Sequence, residues 1–168
     1  VGAAAERFYA EPPQIERGWG ALLIDTQGRA YVDLVNNVTA IGHAHPVFAD
    51  RVARQLNLLN TNSRFLYDAF AEFSERLLAH SPDPSLDTVI PVNSGSEAVD
   101  LALTLARVAT GRRDVIAVRE SYHGWTSAAD AVSTSAFDNP HAADSRPAWV
   151  HLVDAPNAYR GRHRGPDA

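Results

Sequence analysis

The chain has 168 residues, enough to bury an ordinary core, and its 45% hydrophobic and 21% charged content is globular rather than disordered. A net charge of −5 argues against nucleic acid as the main partner, and the lack of cysteine removes disulfides, thiolate metal sites and a thiol nucleophile. All 15 residues of the Lys+Arg count are arginine. From the N-terminus, apolar runs at 19–25 and 29–34 flank Thr26-Gln27-Gly28 and predict a β-hairpin. Pro46 suits the first turn of a helix with His45 near its cap, and Phe48, Val52, Leu56 and Leu59 then share one face. A second helix is predicted over 66–79, where Leu66, Phe70, Phe73 and Leu77 oppose Asp68, Glu72, Glu75 and Arg76, and Ser81-Pro82-Asp83-Pro84 ends it.

Residues 88–92 read as a buried strand and 96–110 as a helix. In that helix Ala98, Leu101, Leu105 and Val108 are the expected core face, and Asp100, Thr104 and Arg107 a polar stripe, with Gly111 as the C-terminal stop. A strand at 114–118, a weak helix at 125–132 and a strand at 148–153 complete the alternation. Strands alternating with helices imply an α/β fold with a mostly parallel sheet and right-handed crossovers. No apolar run reaches membrane-spanning length and no signal pattern opens the chain, so no membrane partner and a cytoplasmic location are expected.

Asn93-Ser94-Gly95-Ser96-Glu97-Ala98 lies between an apolar run and a helix start. A strand, a Gly/Ser turn and a helix N-terminus make an anion cradle, because the first helical N–H groups lack backbone acceptors and carry partial positive charge. The same residues also suit an ordinary N-cap, with Gly95 supplying backbone freedom. Walker lysine, dinucleotide glycine triplet and nucleophile elbow are all missing. Tyr122-His123-Gly124 follows a strand, where the ligand loops of open α/β sheets gather; its aromatic suits a planar cofactor, or simply covers a core edge. Gly42-His43-Ala44-His45-Pro46 invites a metal, but no further ligand cluster stands nearby, and a packed start to the helix is the better account.

Taken together, Gly18-Trp19-Gly20, Gly28-Arg29-Ala30-Tyr31-Val32-Asp33, Gly42-His43-Ala44-His45-Pro46, the 93–98 loop and Tyr122-His123-Gly124 resemble, in order, the class III (omega) aminotransferase family of pyridoxal 5′-phosphate (PLP) enzymes. Within it, Asn36-Asn37-Val38, Thr61-Asn62-Ser63-Arg64-Phe65-Leu66-Tyr67 and Ala155-Pro156-Asn157-Ala158-Tyr159-Arg160-Gly161 look most like the ethanolamine-phosphate phospho-lyase branch. The resemblance implies a partial PLP-transferase fold of type I. Residues 1–45 would be a small-domain segment with the hairpin, and 46–168 the first αβ units of the large PLP-binding domain. It implies cofactor binding by Ser94, Gly95, Ser96, Tyr122, His123 and Gly124, with the cofactor phosphate on Gly95 and Ser96 and the Tyr122 ring on the pyridine. Asn37 and Arg64 become substrate-binding candidates, Arg64 for a substrate phosphate that its fork matches bidentately, although an arginine capping the second helix at the surface fits as well. The resemblance also implies a homodimer and a small amino substrate, phosphorylated in one branch, handled through an external aldimine by transamination or phosphate elimination.

Val99 departs from the family pattern, standing where a polar residue is expected. The larger departure is chemical. The family forms a Schiff base on a lysine that also carries protons, and arginine cannot replace it because it does not deprotonate in proteins. With no lysine, covalent cofactor attachment is impossible in this chain and no catalytic residue is assigned. The expectation is the N-terminal half of an aminotransferase-like enzyme, inactive by itself. The alternatives are a non-catalytic gene remnant or a stand-alone phosphate- or PLP-binding fragment.

Overall fold

A computed structural model describes residues 9–35, 40–62 and 64–162 of the chain. It divides into two compact units, Val1–Ala71 and Glu72–Ala168. In the first, β1 (Ile15–Trp19), β2 (Leu22–Asp25) and β3 (Ala30–Val32) form an antiparallel sheet in that order. The expected hairpin is β2–β3, registered Leu22↔Val32 and Leu23↔Tyr31 around the 26–28 turn. Trp19, expected in the same run as Leu22, belongs instead to β1 and pairs with Leu22, because the chain already reverses at Gly20 and Ala21.

Both histidines of the His-x-His segment have structural partners. His43 bridges Gly20, and its Nε2 lies 2.7 Å from Asp33 Oδ2. His45 caps α1 (Pro46–Leu58): its Nδ1 accepts from the Phe48 amide, and Pro46 fills the first helical position, where no amide donor is needed. The expected apolar face of α1 is not covered among the described residues; Phe48, Val52, Leu56 and Leu59 are all exposed. Helix α2 (Asp68–Ala79) starts two residues later than the periodicity suggests, with Asp68 placing negative charge in its first turn.

The second unit is built from α3 (Gly95–Thr110), β4 (Val115–Val118), α4 (Ser127–Val132) and β5 (Val150–Val153). Strands β4 and β5 pair in parallel, Val115↔Val150 through Val118↔Val153, with α4 in the connection between them. Ala117, Val132 and Val150 form the buried cluster, and Val99, Leu103, Val115, Trp149 and Leu152 pack on it. Helix α3 ends on Gly111, whose left-handed φ of 65° and amide bond to the Arg107 carbonyl close the last turn.

Two expectations are corrected in this unit. Residues 88–92 form no strand: Pro91 removes a donor from the middle of the run, and no described strand lies beside it, so Ile90 and Val92 are exposed. Helix α3 also packs through a different face from the one its hydrophobicity marks. Val99 and Leu103 meet the core, Asp100 and Arg107 lie on that side, and Leu105 and Val108 are exposed. Asp100 is recruited by the amide of Ala129, and Arg107 by the Trp149 ring, 4.5 Å from its guanidinium carbon.

Candidate functional site

The N-terminus of α3 is held by reciprocal capping. Ser94, with extended φ/ψ of −153° and 161°, accepts from the Glu97 amide through Oγ at 3.2 Å and from the Ala98 amide through its carbonyl at 3.0 Å. The Glu97 carboxylate turns back to accept from the Asn93 amide at 2.7 Å and the Asn93 side chain at 3.2 Å. These bonds use the third and fourth amides of the helix. Those of Gly95 and Ser96, the first two, have no intrahelical acceptor by construction and stand at the positive end of the helix dipole.

Facing this turn is the segment after β4. A cavity of about 340 Å³ is lined by Gly95, Ser96, Val99, Tyr122, His123 and Gly124. Five of the six residues expected to hold a cofactor therefore share one concavity, although they lie some twenty-five positions apart in the chain. The sixth, Ser94, is not among its lining; its hydroxyl is committed to the cap. Val99, noted only as a departure from a family pattern, supplies the apolar floor.

Close packing fixes how the two walls meet. Gly124 is buried, and its φ of 129° is a conformation that side-chain-bearing residues rarely adopt. A Cβ there would overlap Ser96, lying 2.8 Å from its Cα. Gly95, by contrast, borders open space, since a Cβ there would meet nothing within 4 Å. Ser96 Oγ accepts from the Trp125 amide at 3.1 Å, and its carbonyl accepts from Thr126 Oγ1 at 3.1 Å. The Tyr122 ring is about half exposed and meets Trp125 edge-on, with centroids 6.0 Å apart.

The supporting residues were not visible as such in the sequence. Ser133 is buried; its Oγ accepts from the His123 amide at 2.9 Å and donates to the Ala129 carbonyl at 2.9 Å. Thr134 Oγ1 accepts from the Ser121 amide at 3.0 Å and donates to the Val118 carbonyl at 2.7 Å. Asp100 caps α4 from another helix: its Oδ1 accepts from the Ala129 amide, while Thr126 at the N-cap makes no side-chain cap bond. Hydroxyls spread over a stretch of ordinary serines and threonines carry no periodic signal. Only the turn-rich composition of residues 133–135 hints at them.

Neither substrate candidate is among the residues that line this cavity. Arg64 belongs to the first unit; it is exposed, and its amide donates to Asn62 Oδ1 at 3.0 Å in the turn before α2. Asn37 lies outside the described residues. Among the described residues no group of three His, Cys, Asp or Glu could hold a metal, and no helix is long and apolar enough to cross a membrane.

A concave wall with two helix-terminal amides, a hydroxyl, a half-exposed aromatic ring and an apolar floor fits a small, flat, phosphorylated molecule. Its volume falls at the lower end of the range for ligand pockets. Comparison with known proteins gives the family. A family model described as aminotransferase class-III matches residues 5–165. The chain is 39% identical over 163 residues to an alanine–glyoxylate aminotransferase 2-like protein of Drosophila melanogaster, covering 96% of this chain and 33% of that protein. It is 36% identical over 165 residues to ethanolamine-phosphate phospho-lyase homolog 1 of Caenorhabditis elegans, covering 98% of this chain and 35% of that protein. Among solved structures, a phospholyase from Arthrobacter in complex with phosphoethanolamine superposes with a TM-score of 0.82 at 35% identity, over 94% of this chain and 36% of that one. The chain thus spans about a third of the length of the curated relatives it matches.

Proposed function

Because this chain belongs to the class III aminotransferase family, we propose that its cavity is the phosphate and ring subsite for PLP in a longer enzyme acting on a small amino compound. The observation that carries the proposal is the meeting of Gly95 and Ser96 with Tyr122, His123 and Gly124 around one space of about 340 Å³. When bound, PLP supplies an electron sink for breaking bonds at the amine-bearing carbon. The chain's own residues bind and orient. The amides of Gly95 and Ser96, with the Ser96 hydroxyl, receive phosphate oxygens; the Tyr122 ring covers one face of the heterocycle; Val99 keeps water from the floor. Ser94 contributes indirectly, by fixing the first turn of α3. In the same proposal residues 1–45 belong to a small domain and 46–168 to the large one, and the full-length protein is a cytoplasmic homodimer.

For the substrate we favour a phosphorylated amino alcohol, with phosphate eliminated rather than the amine transferred. The support is the 35–36% identity to two proteins named for phospho-lyase chemistry, and an exposed arginine, Arg64, whose fork suits a phosphate bidentately. Asn37 joins it as a substrate contact. The family's transaminase reaction is the competing outcome. Full-length protein supplied with phosphoethanolamine should release inorganic phosphate, and Arg64→Ala should raise KM. Amine transfer to a keto acid without phosphate release would assign the other branch.

The 168-residue chain is expected to bind PLP without turnover and without covalent capture, since it has no lysine for borohydride to fix. Equilibrium titration of the purified chain, read through quenching of the nearby Trp125, tests this. Ser96→Ala combined with Tyr122→Ala should abolish the binding. Unchanged affinity in that variant would refute the assigned cradle.

A further inference from the structure

The segment that carries Tyr122 and His123 is not held by a strand ladder. Beyond Arg119, whose amide still bonds to the Val153 carbonyl, β4 leaves its partner. From there every second amide is accepted by a side-chain hydroxyl: Ser121 by Thr134, His123 by Ser133 and Trp125 by Ser96, at 3.0, 2.9 and 3.1 Å. Ser96 stands on α3, whereas Ser133 and Thr134 directly follow α4, so the wall is gripped from both sides. Ser133 is the central member. It is 3% exposed, beyond the reach of competing water, and its own proton goes to the Ala129 carbonyl, which ties the grip to the last turn of α4. Its hydroxyl also lies 3.4 Å from the Gly124 carbonyl.

We propose that Ser133 is a positioning residue for the ligand wall: its hydroxyl fixes the His123 amide, and through it the height and tilt of the Tyr122 ring over the cavity. The role rests on the PLP reading of that cavity. A partly buried amide that loses its acceptor either stays unsatisfied or rotates toward solvent, and rotation carries the neighbouring ring with it. Ser133 does not line the cavity, so any effect of its removal on a ligand is transmitted through the backbone of residues 122–124.

The test is PLP titration of the full-length protein, with induced circular dichroism of the bound cofactor as an orientation signal, for wild type, Ser133→Ala, Thr134→Val and Val132→Ala. Ser133→Ala should weaken binding about tenfold, the loss of one partly buried hydrogen bond, and reduce the induced signal at saturation. Thr134→Val, equal in size, should shift both readouts in the same direction by less, and it keeps the clamp testable should Ser133→Ala not fold. Val132→Ala enlarges the adjacent core, on which Val99 also packs, and should lower Tm with a smaller loss of affinity and induced signal than Ser133→Ala. A Ser133→Ala chain with wild-type affinity and dichroism overturns the positioning role alone. A full-length wild-type protein that binds no PLP overturns the cofactor reading beneath it. Equal losses of affinity in Ser133→Ala and Val132→Ala reduce Ser133 to a general stabiliser and also overturn the role.

Discussion

Asp25 accepts hydrogen bonds from the amides of Gln27 and Arg29, the Arg29 guanidinium and the Tyr31 hydroxyl, all within 2.9 Å. Burial works to raise its pKa, but these donors together outweigh burial and bring it down from 3.8 to about 2. The same hydrogen bond raises the pKa of Tyr31. A depressed carboxylate pKa contributes stability that is present above the unfolded value and lost as pH falls through the folded one. The β2–β3 turn should therefore hold at pH 5 and loosen between about pH 4 and 2, with the Gln27 and Arg29 amide resonances titrating near the Asp25 value. A midpoint near 4 would show that the four donors do not act together. Asp25 was not singled out by any motif. Its partners follow within six residues, but an aspartate ahead of a glycine turn is common, and its burial depends on how the strands close over it.

At the scale of elements, α4 depends on α3. Its first turn has no cap of its own, and the Ala129 amide is accepted by Asp100, 29 positions earlier. Asp100→Ala should lower unfolding stability by about 1 kcal/mol, as loss of an N-cap does, with amide protection falling first in residues 127–132. Loss of protection confined to α3 would contradict the cap. The sequence makes helix ends legible and helix faces much less so. His45-Pro46, Ser94 with Glu97, and Gly111 each mark a boundary through contacts within four residues, and the structure places caps at all three. The packed face of α3 depends instead on Trp149 and Ala129, whose proximity no local pattern announces. Hydrophobicity alone therefore selected Leu105 and Val108, which are exposed, over Asp100 and Arg107. Residues 88–92 misled for a related reason: their apolar character matches a strand, but a strand needs a neighbour to accept its bonds. For the cavity the sequence supplied both walls, and it omitted the hydroxyls behind one of them.

For the whole chain, buried apolar side chains among the described residues are few and small: Ala117, Ala129, Val132, Ala142 and Val150. Meanwhile Phe48, Leu56, Phe73, Ile90, Leu105 and Val108 are all more than 45% exposed. Exposed apolar surface on this scale favours association. The isolated chain should elute in size exclusion as species larger than its 18.2 kDa and bind a hydrophobic dye; a monodisperse monomer with a sharp thermal transition would contradict this. The elements of the second unit depend on one another. Helix α4 has six residues, too few to persist in water by itself, and its cap waits on α3. The hydroxyl that holds the Tyr122 segment waits in turn on the last turn of α4. The contacts of the second unit thus link α3, α4 and the ligand wall to one another, with Ser96 also joining the wall to α3 directly. A molecule bound between α3 and the wall consequently favours the state in which all of these contacts are made, and stabilises α4, a helix that does not line the cavity.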